Sequence, residues 1–249
     1  MSRQLFRSTP MHTPQERPLA AERSQGSMGA KPRPAFARLG FWSAVLTAVF
    51  TILFLGGYIV VTMGLLPPPW DIVLAIGASL LLAPSFVVMM VSVHYAAPAE
   101  KQIWSHLGIA FALLYAALVS IVYVTWLFVV EPHVLRGQAD QVTLLIFARG
   151  SFLQMVDGLG YTFMGVALFF AAPVFAGKRL DKWIRWLCLL SGPGAVLVFL
   201  AYAFYILPLG VAEWVITPAL AILLAVYFRR RGYTTRQANT FSDPAVRPV

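Results

Sequence analysis

The chain has little charge. Only 12% of its 249 residues are Asp, Glu, Lys or Arg, against about 25% in soluble domains. With a hydrophobic share of 59% and a mean hydropathy of +0.74, that shortage excludes an ordinary soluble globular domain. It also excludes disorder as the main state, which requires low hydrophobicity. Cysteine is almost missing. Cys188 stands alone, so neither a disulfide framework nor a multi-thiolate metal site can form within the chain. The sequence has no His-Glu-x-x-His metal pair, no glycine-rich phosphate loop and no nucleic-acid motif. No cofactor and no nucleic-acid partner are expected.

Long apolar runs are what the chain does have. A membrane span takes about 20 mostly apolar residues. Six segments qualify: Phe41–Met63, Ile72–Tyr95, Trp104–Val130, Phe152–Phe175, Ile184–Leu207 and Val211–Phe228. They are continuously apolar and lack the alternation of barrel strands, so they are read as helices. The expected fold is all-α, a polytopic integral membrane bundle of six transmembrane helices spanning residues 39–230. Residues 1–38 and 231–249 are expected to be flexible basic tails. The first apolar run lies too far from the start of the sequence for a cleaved signal peptide, so it is read as a retained helix. A seventh run, Val142–Ala148, is too short to span. It reads as a surface helix, a re-entrant piece or a first turn added to the fourth helix.

Basic residues stay on the cytoplasmic side of a membrane protein. Six spans place every lysine and arginine except Arg136 and Arg149 on one side, together with both ends of the chain. The net charge of +9 therefore reflects membrane insertion. Arginines outnumber lysines 15 to 4, a bias associated with GC-rich bacterial genomes. The expected location is the bacterial inner membrane, with both termini cytoplasmic and the lipid bilayer as principal partner.

The opposite side is acidic, carrying Asp71, Glu131, Asp140, Asp157 and Glu213. Asp71 and Glu213 open helices, where the dipole favours an acid, so both are read as helix-terminal residues. Asp157 lies several residues inside the fourth span, where an ionised carboxylate is expensive and must face the bundle interior, a wet cavity or a partner. At 100° per residue, Gln154, Asp157, Gly158, Tyr161 and Gly165 form one polar, small-residue stripe. Tyr58, Tyr123, Tyr202 and Thr217 fall at similar depth on other spans. No second carboxylate is expected in a helix core beside Asp157.

The substrate-binding set read from this pattern is Asp157, Gln154, Tyr161, Tyr123 and Arg149, taking a small solute or a proton. Pro84 and Pro193 occupy the middle helix of each three-helix half. They are read as hinges, since broken helices at such places mark transporters. His94 and His106 flank a short connection and can approach each other, which leaves metal or haem ligation beside the plainer reading of two rim histidines. Ser191 has no histidine at its depth to activate it, and Cys188 reads as a packing residue. No catalytic constellation is present, and an enzymatic role is not expected. Two functional readings stay open: a transporter or permease with a pocket at Asp157, or a non-catalytic membrane subunit, assembly factor or scaffold in which Asp157 is structural, held by a tyrosine hydroxyl or by Arg149.

Overall fold

The computed structural model describes residues 34–241. Among them there are no strands, and six helices are long and apolar enough to cross a membrane. They are α1 (Pro34–Met63), α2 (Trp70–Ala96), α3 (Gln102–Thr125), α4 (Phe152–Ala171), α5 (Arg179–Phe204) and α6 (Val211–Phe241). The protein is thus an all-α, multi-pass membrane protein. The expected tails at 1–33 and 242–249 lie outside the described residues. Two boundaries move. Residues 34–38 belong to α1, and α6 continues past 231 to Phe241. A helix hydrogen-bonds within itself and needs no apolar residues once it leaves lipid, so hydropathy marks the membrane-embedded part and misses the extensions.

The helices form a closed ring. Each packs against its neighbour in sequence, and α6 returns to pack on α1. Short connections force antiparallel neighbours. Small residues set the close approaches. A Cβ at Gly40 would stand 2.8 Å from the Phe228 ring, and one at Gly165 would stand 2.8 Å from the Ala195 Cβ. Dispersion between closely approaching helices is the main attraction available in lipid, where burying apolar surface gains nothing. Phe86, Tyr115, Leu168, Leu224 and Phe228 fill the centre. The outer faces are equally apolar, with Trp42, Leu113, Ile121 and Trp186 exposed, as lipid requires. At the end holding residues 34 and 232, Arg231 Nη1 donates to the Ala96 carbonyl at 3.0 Å. The same guanidinium lies over the Tyr227 ring at 4.8 Å.

Two local departures shape the opposite, distal end. After Thr125 the third span loosens into a π-helical turn, Trp126–Val130, before a last turn at Glu131–Leu135. π-Turns widen a helix and recur at functional sites. At the end of α5, Tyr205 adopts a left-handed conformation (φ 59) and the Ile206 amide bonds back to the Ala201 carbonyl at 2.9 Å. The chain folds back, so that Gly210 lies beside Ala201. α6 therefore starts below the tip of α5.

Candidate functional site

The site is built on the first two turns of α4. Gly150 has a φ of +75, a left-handed conformation that ends the preceding segment and excludes a continuous helix through it. The 3-10 helix Ala139–Leu145 takes in the first part of the short apolar run before it, with Leu144 exposed and Val142 buried. The run is therefore not a first turn of α4. Ser151 caps α4 by accepting from the Gln154 amide at 3.2 Å, and Gln154 Oε1 accepts from the Gly150 amide at 2.6 Å. This reciprocal arrangement resembles a capping box. Its Ser-x-x-Gln signature was legible in the sequence and was missed there. Gln154 is buried, and its carbonyl oxygen serves the cap.

One turn further on, the Asp157 side chain is 3% exposed. The Tyr202 hydroxyl of α5 donates to Asp157 Oδ2 at 2.9 Å. Gly158 makes this possible. A Cβ there would stand 2.5 Å from the Tyr202 Cγ, so only glycine lets the tyrosine lie flat against α4. Asp157 Oδ1 is buried and has no hydrogen-bond partner. Beside it, the Tyr123 hydroxyl of α3 meets the Tyr161 hydroxyl at 2.8 Å, and Tyr161 in turn meets Ser79 of α2 at 3.1 Å. Tyrosines from three helices thus converge on one carboxylate. Arg149 does not pair with Asp157. Its guanidinium lies over the Tyr205 ring, 5.0 Å from the centroid.

A cavity of about 230 Å³ opens at the distal end and reaches Asp157. Asp157, Gln154, Tyr123 and Tyr202 line its floor side. Tyr58, Trp126, Phe147, Tyr205 and Trp214 line the remainder, with Phe54 and a few aliphatic residues. Eight of the fifteen lining residues are aromatic, and Asp157 is the one charged residue among them. The buried Trp126 Nε1, on the π-turn, also lacks a partner. Of the expected set, Asp157, Gln154 and Tyr123 line the cavity. Tyr161 stands behind Tyr123, stacked on Phe54 with ring centroids 6.1 Å apart. Arg149 contributes only through Tyr205. The sequence reading missed Phe54, Trp126, Phe147, Tyr205 and Trp214. Trp126, Tyr205 and Trp214 stand near span ends, where aromatic residues are common, while Phe54 lies among other apolar residues within α1 and Phe147 in a connection, so no pattern marked these five.

Pro84 and Pro193 lie inside α2 and α5, and neither interrupts its helix. Both face outward from the bundle. In the adjoining turns the Ser85 and Ser191 hydroxyls bond to the Leu81 and Leu187 carbonyls, at 2.9 and 3.2 Å. Packing by neighbours and hydroxyl bonds keep such helices wound through a proline.

Glu213 corrects an expectation. It does stand in the first turn of α6, as a helix-terminal acid should, but it is 2% exposed and pressed against Gly194 of α5. Thr217 Oγ1 donates to its Oε1 at 3.4 Å, and its Oε2 has no partner. The cause is the fold-back after Tyr205, which starts α6 deep enough that its first turn points into the bundle. A second carboxylate therefore does lie in the bundle core, although it does not line the cavity. Asp71 behaves as expected, accepting from the Ile72 amide at 2.8 Å in the first turn of α2.

His94 and His106 do approach, with ring centroids 4.1 Å apart. The Ser105 hydroxyl donates to the Gln102 carbonyl at 2.9 Å. Its oxygen is then left to accept from His94 Nδ1 at 2.8 Å. His106 Nδ1 donates to the same carbonyl at 3.0 Å. Among the described residues no group of three or more potential metal ligands comes together. Compared with protein-family models, curated proteins and solved structures, the chain has no match.

Proposed function

We propose that this multi-pass membrane protein is a small-solute transporter or permease whose substrate enters the distal cavity and contacts Asp157. The observation that carries the reading is an unpartnered carboxylate oxygen on a buried residue lining a 230 Å³ cavity. A carboxylate held that way costs free energy unless something binds there. Gln154 and Tyr123 flank it, Tyr161 orients Tyr123, and Arg149 braces Tyr205 at the edge. Uptake of a proton by Asp157 couples the cycle to the proton gradient, and Pro84 and Pro193 permit α2 and α5 to rearrange. The charge asymmetry of the sequence supports a bacterial inner membrane with both ends cytoplasmic, so the cavity faces outward.

The test is uptake of a solute panel (amines, amino acids, sugars and carboxylates) by cells producing the protein or its Asp157→Asn variant. The variant should insert at the same level and lose uptake, and a protonophore should abolish uptake by the unaltered protein. Unchanged uptake in the variant removes the mechanism. The bond between Tyr202 and Asp157 favours a second reading, a non-catalytic subunit, assembly factor or scaffold. There the same substitution lowers stability or breaks a complex and alters no solute flux.

A further inference from the structure

The cavity's lining specifies a ligand chemistry, and this step rests on the reading of the Asp157 cavity as a binding site. We infer that the cavity binds a compact organic cation, an amine or quaternary ammonium ion, with its charge at Asp157 and its alkyl groups against the aromatic wall.

Three observations lead there. The first is charge. Asp157 is the one charged residue among the fifteen that line the cavity, and it repels an anion. A neutral ligand would leave the buried carboxylate with its Tyr202 hydrogen bond but no counter-charge. A cation neutralises it. The second is the wall. Tyr58, Trp126, Phe147, Tyr205 and Trp214 line the same space. Aromatic faces attract ammonium groups through the ring quadrupole, most strongly where water is excluded. They do so without demanding the dense hydration that a small inorganic cation retains. The fold already uses this interaction at the rim, where the Arg149 guanidinium rests on Tyr205 at 5.0 Å. The third is size. A cavity of about 150 Å³ accommodates benzene, so 230 Å³ suits a small organic ion and is larger than a lone metal cation needs.

The test compares choline with 3,3-dimethylbutan-1-ol, which has the same shape but carbon in place of the charged nitrogen. Each is titrated calorimetrically into the purified full-length protein in lipid nanodiscs, and benzylamine serves as a second cation. Choline or benzylamine should bind saturably, and the neutral isostere about tenfold more weakly or worse. Asp157→Asn should weaken the cation about tenfold. Trp214→Leu should weaken it about fivefold, while Trp214→Phe retains it. If Asp157→Asn fails to fold, the isostere comparison and the two Trp214 variants carry the test. Equal binding of choline and its isostere, or no saturable binding of either cation, overturns the inference. Cation binding with the stated dependence but no uptake of any solute removes the transport reading and leaves this one standing. Asp157-dependent uptake of a sugar or carboxylate, without cation binding, does the reverse.

Discussion

The Tyr202 hydroxyl holds one oxygen of the Asp157 carboxylate at 2.9 Å, and the other oxygen is buried without a hydrogen-bond partner. That one bond fixes the carboxylate's direction. Replacing Tyr202 with Phe removes the fixed bond and keeps the ring over Gly158. The expected loss of stability is about 0.6–2 kcal/mol, the range for a hydrogen bond between membrane helices. Chemical unfolding in mixed micelles measures it. No loss of stability would mean that the bond does not hold α4 to α5.

Gly158 determines whether that bond can form. Gly158→Ala places a methyl group within 2.6 Å of the Tyr202 Cβ and Cγ. The backbone of α4 has no free room there, so α5 must shift. The expected cost is about 1–3 kcal/mol, as for other overpacked sites. The indole fluorescence of Trp214, on the cavity wall, should also change. An unaltered spectrum and melting point would contradict the close packing.

Gly194 and Glu213 form a second such pair, in which the glycine makes room for the carboxylate. Gly194→Ala meets only the far end of the Glu213 side chain, so it should destabilise the protein by about 1 kcal/mol, the low end for an overpacked site. In a Glu213→Ala background the same change should cost less, because the group it displaces is gone. A double-mutant cycle reads the difference. Strict additivity would show that Glu213 is not what occupies the space beside Gly194.

The charge distribution makes a topological expectation that is independent of the site. Reporter fusions after Lys101, within 178–182 and after residue 232 should report the cytoplasm, and a fusion within 136–148 should report the opposite compartment. Opposite reports from the ends of the chain would place the cavity on the wrong side for a substrate arriving from outside.

Several features were legible along the chain. Six runs of sufficient length and apolarity specify six helices, because a backbone in lipid must satisfy its own hydrogen bonds. Asp157 stood out for the same physical reason, since a carboxylate inside a span is costly wherever it points. The 100° periodicity also placed Gln154, Gly158, Tyr161 and Gly165 on its face, and all five are buried between helices. The convergence of Tyr123 and Tyr202 on that carboxylate was legible only as a common depth, since hydropathy carries no information about which helices adjoin.

The sequence by itself determined the class, the number of spans and Asp157 as a residue whose presence inside a span needs a partner, because these follow from transfer free energies read one residue at a time. Only the tertiary structure decided what surrounds that residue. Phe54, Trp126, Phe147, Tyr205 and Trp214 lie on α1, α6 and the ends or connections of α3, α4 and α5, and they share a cavity because the ring of helices closes. Glu213 faces inward because one left-handed residue, Tyr205, turns the chain back before α6 begins. Side-chain direction at a helix start depends on where the connection delivers the chain, and that is fixed by packing between helices distant in sequence.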